Sequence, residues 1–412
     1  MIPTKEQLTK YANLTIQKGV NIQKGQALSI NAPIEAREFV HYVVEAAYNA
    51  GAEGVRVNWS DEVLTRKSYE KEPLHILEDV PEWLVEKQLS HVKEGGAILT
   101  IYAPNPDLLE GIDAERVAKA TKAKSQALSE YKTYIMNDRV QWSIVSVPTD
   151  KWAKKIFPNK DVDEAVTSLW EQIFSIVRVD QEDPIAAWKE HNNTLYSIRD
   201  YLNEKQYEAL EYQSEGTNMT VKLPKDHIWA GGGAVAETNG AEFNPNMPTE
   251  EVYTAPHREG INGTVTNTKP LNYNGNLIDG FTLTFENGKV VDYKAEQGEE
   301  TLKHLLETDE GATRIGEIAL VPHSSPISQS ELIFYNTLYD ENASCHMALG
   351  EAYPTNVKDG EKMSQDELKE KGINTSLVHE DFMIGSADLT VYGVTKNGQK
   401  EPIIENGDWA IV

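Results

Sequence analysis

Acidic and imidazole side chains recur in the last third of the sequence, in short polar segments punctuated by glycine and proline. Carboxylate oxygens and imidazole nitrogens in this proportion suit divalent cations such as zinc, cobalt or manganese. A pair of such ions can activate a water molecule for hydrolysis. The candidate residues for this chemistry are Glu250, Glu251, Glu317, Glu341, His346, His379 and Asp381.

His379 and Asp381 are two residues apart in the segment SLVHEDFMIGS. On an extended strand, residues i and i+2 point to the same face, so both side chains could reach one ion. A chain with 10 histidines and 65 acidic residues contains several such pairs by chance. The spacing therefore predicts a ligand pair only in combination with the other segments.

His346 is followed by small residues and by Gly350, which suits a place where backbone must approach closely. The alternative is a hydrogen-bonded histidine of the core. Glu341 precedes His346 by five residues and is within loop reach of the same site. The neighbouring Cys345 could bind zinc, but a lone cysteine is more often a small buried apolar residue, and we favour that interpretation.

Glu317 begins an apolar run between Gly316 and Pro322, a position typical either of a solvated strand edge or of a site. Glu250 and Glu251 form an adjacent acidic pair that could simply be solvated. In a hydrolase with two metal ions, one such carboxylate could bind metal while its neighbour transfers the proton of the attacking water.

The elements of the N-terminal half alternate between helix and strand. Short strands at 26–32 and 55–59 flank an amphipathic helix at 35–49, which predicts a βαβ unit with parallel strands. No glycine-rich phosphate loop accompanies this unit, which argues against nucleotide binding. The alternation continues with helices at 81–93, 114–131, 162–176 and 184–201 and strands at 97–103 and 140–147.

After about residue 211 the helical periodicity gives way to strands and turns. Strands are predicted at 217–223 and 260–268, and Asn287-Gly288 predicts a type I′ hairpin turn within 281–293. We therefore predict an α/β N-terminal domain with a mostly parallel, wound sheet over residues 1–205. A β-rich α+β domain that carries the metal ligands and the catalysis follows over residues 206–412.

The composition bounds the class of protein. The 412 residues are 40% hydrophobic, enough for two cores, and the formal net charge is −26. Such an excess of acid argues against nucleic acid or an anionic membrane as a partner. No segment approaches the ~18 apolar residues of a membrane helix. The single cysteine fits a reducing compartment, so we expect a cytoplasmic protein.

Several segments together resemble the signature blocks of the aminopeptidase T / PepS family, the thermophilic aminopeptidases with two metal ions. The resemblance continues in the N-terminal half, with KGQALSI and EAAYNAGAEGVRV, and covers nearly the whole chain in the same order. The segments are NMPTEEVYTAP, GEIALVP, NTLYDENASCHMALGEAYP and HEDFMIGS.

This resemblance implies a co-catalytic pair of divalent ions, commonly zinc or cobalt, with manganese or magnesium as alternatives. It implies Glu317 as the bridge between the ions, Tyr353 as an active-site residue, and a homodimer that acts on peptides with a free N-terminus. Glu250 is our candidate general base, and Tyr353 could donate to the oxyanion or instead pack against Pro354. The implied ligands are Glu251, Glu317, Glu341, His346, His379 and Asp381.

Two other classes of function remain open. The first is a dinuclear hydrolase of phosphoesters or small amides, but the ligand segments contain no basic residue to hold a phosphate. The second is a metal-stabilised binding or assembly protein, which would require saturated coordination of each ion. The excess of carboxylates over imidazoles fits such a closed structural site less well.

Overall fold

The computed structural model of the chain describes residues 3–273 and 276–411. The chain divides into two compact units. Residues up to 190 together with 233–248 form the first unit, and residues 191–232 together with those from 249 onward form the second. No helix among the described residues is both long and apolar enough to cross a membrane.

The α-helices are concentrated in the first half of the chain. A π-helix at Thr15–Gly19 and short 3₁₀ helices, including Glu341–Ala343 and Pro354–Asn356, supplement them. In chain order the α-helices are α1 (Lys5–Leu14), α2 (Arg37–Asn49), α3 (Glu62–Lys71), α4 (Leu74–Leu77), α5 (Glu82–Lys93), α6 (Ala114–Ala127), α7 (Ser129–Met136), α8 (Asp150–Ile156), α9 (Val162–Ile176), α10 (Pro184–Lys205), α11 (Glu299–Leu306), α12 (Pro326–Gln329), α13 (Thr337–Asp340) and α14 (Gln365–Glu370).

The strands are concentrated in the second half. In chain order they are β1 (Ala27–Pro33), β2 (Gly54–Ser60), β3 (Ala97–Tyr102), β4 (Trp142–Ser146), β5 (Ala209–Ser214), β6 (Thr217–Lys222), β7 (Ala230–Gly231), β8 (Ala234–Val235), β9 (Glu242–Phe243), β10 (Val252–Thr254), β11 (Ile261–Thr266), β12 (Leu271–Tyr273), β13 (Asn276–Ile278), β14 (Thr282–Glu286), β15 (Lys289–Lys294), β16 (Ile315–Leu320), β17 (His346–Gly350), β18 (His379–Met383), β19 (Thr390–Val394), β20 (Lys400–Glu405) and β21 (Asp408–Trp409).

The first unit contains a parallel sheet in the order β2-β1-β3-β4. The predicted βαβ unit is confirmed, because β1 and β2 pair in parallel on either side of α2. Tyr11 of α1 stacks on Phe39 of α2 with ring centroids 4.7 Å apart. Its hydroxyl donates to the carbonyl oxygen of Ser146 at the end of β4. Helices α1 and α2 are thereby fixed to each other and to the sheet.

The prediction of one helix over 114–131 is wrong. Helix α6 ends at Ala127 and α7 begins at Ser129. Leu128 between them has φ −98° and ψ 14°, outside the helical region. It is also buried at 6% exposure, so the chain turns where an apolar side chain enters the interior, and no glycine or proline marks the break.

The second unit contains two large antiparallel sheets and the two-stranded sheet β12-β13. The long sheet has the order β15-β14-β11-β6-β5-β19-β20-β21, and the smaller one, which we call the site sheet, has the order β18-β17-β16-β10-β7. Side chains of both sheets, such as Val265 and Phe285 from the long sheet and Met347 from the site sheet, belong to one apolar core. The prediction of a β-rich region after an α/β region is confirmed.

The predicted hairpin turn also forms. Strands β14 and β15 pair in antiparallel register around Asn287 and Gly288. Both turn residues have positive φ, 50° and 79°, as a type I′ turn requires.

Candidate metal centre

One face of the site sheet carries the candidate ligands. Ala348 of β17 lies opposite Glu317 of β16 on one side and opposite Asp381 of β18 on the other. Residues that lie opposite each other in antiparallel strands project from the same face. Both carboxylates therefore project beside Ala348, whose methyl group leaves room for them to converge.

The next row of the sheet shows why this face is available. Met347 lies opposite Ile318 and opposite Phe382, and all three belong to the apolar core of the second unit. Because successive strand residues alternate between faces, packing this row into the core directs the ligand row to the other face. A register shift of one residue would bury the carboxylates in the core.

The two histidines lie on the same face as the carboxylates. His346 begins β17 two residues before Ala348, and His379 begins β18 opposite Gly350. Gly350 has φ 108°, and a Cβ there would clash with the carbonyl oxygen of Val378. Only glycine allows β17 to run this close to the chain that carries His379.

We expect Gly350→Ala to lower the free energy of unfolding by about 2 kcal/mol or more, because it adds a backbone clash to an unfavourable φ. Urea denaturation of the two proteins measures this loss. Gly398→Ala is the matched control, since Gly398 also has positive φ (74°) but has open space around its Cβ position. An equal loss in the two variants would contradict the proposed close approach at Gly350.

The ligand atoms form two triads that share Glu317. In the first, Glu251, Glu317 and His346 place one ligand atom each within 4.8 Å of one another. The His346 Nε2 lies 3.3 Å from the Glu251 Oε2 and 3.6 Å from the Glu317 Oε1. Glu251 is the residue immediately before β10, and its side chain extends from there to the triad.

Glu317, His379 and Asp381 form the second triad within the same 4.8 Å limit. The His379 Nε2 lies 4.0 Å from the Glu317 Oε2 and 3.5 Å from the Asp381 Oδ1. The two oxygens of Glu317 thus face different histidines. This is the arrangement expected of a carboxylate that bridges two ions.

Backbone carbonyls orient both imidazoles. The His346 Nδ1 is 3.1 Å from the Ser344 carbonyl oxygen, and the His379 Nδ1 is 2.7 Å from that of Glu351. A carbonyl oxygen only accepts hydrogen bonds, so Nδ1 carries the proton in each ring. Nε2 of each ring then faces the carboxylates, where a bound cation would take the place of its proton, as in metal-binding histidines.

The side chains of the two triads are suited to binding a cation. The Glu251 Oε2, Glu317 Oε2 and Asp381 Oδ1 are buried, and no described residue donates a hydrogen bond to them. Buried carboxylates this close together repel one another unless positive charge lies between them. The mixed oxygen and nitrogen donors suit divalent ions of the zinc, cobalt or manganese kind.

The pKa shifts within this cluster of carboxylates and imidazoles agree with a cation site. Burial raises the pKa of Glu317, and the nearby Asp381 and Glu251 raise it further. Burial also raises the pKa of Glu341 well above its usual range, again with contributions from Glu251 and Asp381. Burial alone would lower the pKa of His346, but the carboxylates of Glu251 and Glu317 outweigh it and hold that pKa well above its usual range. The cluster therefore has an excess of negative charge.

Glu341 and Glu250 lie outside both triads. Glu341 begins the 3₁₀ helix before β17 and is close enough to Glu251 and Asp381 to interact with their charges. Glu250 is 3% exposed, and its Oε2 lies 3.7 Å from the Nε2 of His191 on α10. The Glu250 N–H donates to the Asn342 Oδ1 at 2.7 Å.

Tyr353 lies beside the second triad. Its ring centroid is 5.3 Å from that of His379 and 6.1 Å from that of Tyr253. Burial raises the pKa of Tyr353, and the carboxylates of Glu317 and Asp381 add to the increase. The phenol therefore keeps its proton at neutral pH and can act as a hydrogen-bond donor.

Sequence reasoning missed the residues that orient the site. His191 lies on a helix some sixty residues before Glu250, and no spacing pattern connects them. The carbonyl groups of Ser344 and Glu351 carry no side-chain signal at all. Asn342 lies within the segment YDENASCHMALG, and its place beside Glu341 is the one signal that could have marked it.

Cys345 lies in the apolar core of the second unit and belongs to neither triad. Its Sγ is 3.2 Å from the Val321 carbonyl oxygen, to which the thiol donates. Burial raises the pKa of the thiol to about 11. These are the properties of a small buried residue, as favoured from the sequence.

A cavity of about 260 Å³ adjoins the second triad. His379, Asp381 and Glu341 line it together with Lys269 and apolar residues such as Leu271. Two larger cavities, of about 630 and 710 Å³, contain none of the eight candidate residues.

The fold and the paired triads together define a metalloenzyme. The family described as thermophilic metalloprotease (M29) matches residues 4–409, and the chain belongs to that family. Aminopeptidase 2 of Geobacillus stearothermophilus is 55% identical over 406 residues, and aminopeptidase AmpS of Bacillus subtilis is 49% identical over 405, each with 98% of both chains covered.

The solved structure of wild-type AmpT from Thermus thermophilus is similar throughout. It matches with a TM-score of 0.92 at 41% identity, covering 98% of this chain and 99% of that one. The family resemblance drawn from the sequence segments is thereby confirmed.

Proposed function

We propose that this protein is a metal-dependent aminopeptidase, which removes the N-terminal residue of peptides with a metal-activated water at a site for two divalent ions. The sharing of Glu317 between two triads carries this proposal, since its two oxygens face different histidines. The similar proteins are named aminopeptidases, which supports this function and not the alternative of a phosphoesterase.

The proposed ligands divide between the two ions. Zinc or cobalt are the preferred ions. Glu317 would bridge them, and Glu341 would complete the coordination from the 3₁₀ helix before β17. The proximity of its carboxylate to Glu251 and Asp381 supports that role. The first ion would be held by Glu251 and His346, and the second by His379 and Asp381.

When bound, such a pair of ions lowers the pKa of a shared water and polarises the scissile carbonyl. The surrounding residues supply the remaining chemistry. Glu250 accepts the proton of the attacking water and delivers it to the leaving amine. Tyr353 donates a hydrogen bond to the oxygen that becomes negative. The excess of carboxylates attracts the protonated amino group of the substrate, which directs cleavage to the first peptide bond.

Three further proposals concern the whole protein. Residues 206–412 form the catalytic domain after an α/β domain at 1–205, which the location of all candidate ligands after residue 249 supports. A homodimer follows from the family resemblance. The single, buried cysteine and the acidic composition support a cytoplasmic location.

Hydrolysis of leucyl 4-nitroanilide, with N-acetyl-leucyl 4-nitroanilide as the control, tests the proposed function. We expect cleavage of the free-amine substrate alone, because only it carries the charge that the carboxylates attract. A chelator should reduce the rate at least about a hundredfold, and zinc or cobalt should restore it. Equal cleavage of both substrates, or full activity in chelator, would reject the proposal.

A further inference from the structure

The cavity beside the candidate metal centre follows the outer edge of the site sheet. Strand β18 is the outermost strand of that sheet, and every residue from His379 to Met383 lines the cavity. Successive strand residues point to opposite faces, so a cavity that contacts all of them must lie along the strand's edge. The space therefore extends from the candidate ligands His379 and Asp381 toward Met383.

The chain before β12 brings Lys269 to the Met383 end of this edge. The Thr268 N–H donates to the Met383 carbonyl oxygen, and the Thr268 hydroxyl donates to that of Gly385, both at 2.8 Å. The Asn267 side-chain amide donates to the Lys269 carbonyl oxygen, also at 2.8 Å. These bonds fix the backbone that carries Lys269, and Lys269 lines the cavity together with Asp340, whose charge acts on its ammonium group.

Lys269 is the only lysine or arginine among the described residues that line this cavity. No carboxylate oxygen of a described residue lies within 4.0 Å of its ammonium nitrogen. Burial lowers its pKa, and the charges of Asp340 and Glu331 only oppose that effect. Asp340 is already engaged, since its two oxygens accept the N–H groups of Phe334 and Asn336. The ammonium group therefore remains available to a ligand.

The length of the cavity along β18 matches that of a short extended peptide. A strand rises about 3.3 Å per residue, so Met383 lies about 7 Å beyond Asp381 along β18. Two residues of extended peptide span about the same length. The cavity volume, about 260 Å³, is just below the ~300 Å³ of the smallest typical ligand sites, so it suits one or two residues.

We propose that Lys269 binds a carboxylate of the substrate, carried by the residue that follows the cleaved bond. This inference rests on the proposed aminopeptidase function. A chain with net charge −26 repels an anionic substrate, so a cation within the cavity is needed to hold one. The carboxylate has two sources, namely the C-terminus of a dipeptide or the side chain of an acidic residue.

The test compares three substrates: Leu-Gly, its C-terminal amide Leu-Gly-NH₂, and Leu-Asp-NH₂. Lys269→Met keeps the length of the side chain and removes its charge. For a substrate whose carboxylate Lys269 binds, we expect kcat/KM to fall about tenfold or more, the usual effect of losing a charged hydrogen bond. Leu-Gly-NH₂, which has no carboxylate, should change less than about twofold.

The pattern of losses identifies the source of the carboxylate. A loss confined to Leu-Gly assigns the C-terminus, and a loss confined to Leu-Asp-NH₂ assigns the acidic side chain. Lys269→Arg should retain most of the activity on the affected substrate. Lys225→Met is the matched control, because Lys225 belongs to the same unit but lines a different cavity. An equal loss on all three substrates, or no loss on either carboxylate substrate, would overturn the proposal.

Two measurements keep this test independent of the proposed function and of folding. Calorimetric binding to the zinc-loaded protein makes the same comparison without turnover when Leu-Gly and Leu-Gly-NH₂ are replaced by analogues whose peptide carbonyl is reduced to a methylene group, which cannot be hydrolysed. A wild-type protein that hydrolyses no free-amine peptide would refute the proposed function alone. If Lys269→Met does not fold, added salt should weaken the wild-type preference for Leu-Gly over its amide, and a preference that salt leaves unchanged would refute the role of Lys269.

Discussion

Glu317→Gln should release both ions and abolish hydrolysis while the second unit remains folded. Glutamine matches the shape of glutamate but cannot bridge two cations with two anionic oxygens. We expect kcat/KM to fall at least about a thousandfold, which corresponds to ~4 kcal/mol of activation free energy. No other single residue belongs to both triads, so no other substitution of one ligand is expected to remove both ions.

Stability measurements separate this effect from misfolding. Glu317 is fully buried and burial raises its pKa, so the metal-free variant should be at least as stable as the metal-free wild type. Zinc should raise the Tm of the wild type but not that of the variant, since only the wild type binds it. Metal content by mass spectrometry gives the stoichiometry directly.

Glu286→Gln is the matched control for Glu317→Gln. Glu286 ends β14 in the same unit and is exposed, so this change also replaces a strand carboxylate by an amide. It should leave metal content and kcat/KM unchanged. Retention of two ions by Glu317→Gln would show that the bridging role is wrong.

The local part of the site could be predicted from the sequence because its signals are local. His379 and Asp381 do share one face of a strand, as their spacing predicts. The glycine near His346 does mark a close backbone approach, although its consequence lies at Val378 and not at the histidine itself. Residue types and short spacings are enough for such predictions.

The convergence of the triads could not be predicted in this way. It depends on the register of β16, β17 and β18, which sets Glu317 and Asp381 on either side of Ala348. That register is fixed by the apolar row of Ile318, Met347 and Phe382 in the core. These three strands are far apart in the sequence, so local periodicity carries no information about their register. The family resemblance predicted that the ligands share one site, whereas local spacing and periodicity did not.

The fold, too, could be predicted only where local sequence signals determine it. Parallel pairing of β1 and β2 follows from the helix between them, and the Asn287-Gly288 turn follows from its own residues. The break between α6 and α7 does not, because it falls at the buried Leu128 and not at a glycine or proline. Strand β5, which lies in the middle of the long sheet, was missed because it follows α10 without a clear turn signal.

Replacing the adjacent residues Glu250 and Glu251 by glutamine should have different effects on metal binding. Glu251 lies 3.3 Å from the His346 Nε2 within a triad, so Glu251→Gln should lose one ion. Glu250 lies outside both triads, so Glu250→Gln should keep both ions and lower kcat about 10²- to 10⁴-fold, the usual contribution of a general base. Metal analysis together with separate kcat and KM values measures the contrast.

His191→Gln distinguishes a proton-transfer role of Glu250 from a structural one. The Glu250 Oε2 lies 3.7 Å from the His191 Nε2, so either substitution disturbs this pair and should lower the Tm to a similar extent. If Glu250 only supports the fold through His191, the two variants should also lose activity equally. If Glu250 moves the proton, Glu250→Gln should lose far more kcat than His191→Gln, with KM changed little in both. A loss of metal in Glu250→Gln would instead mean that both neighbours bind ions and that another residue acts as the base.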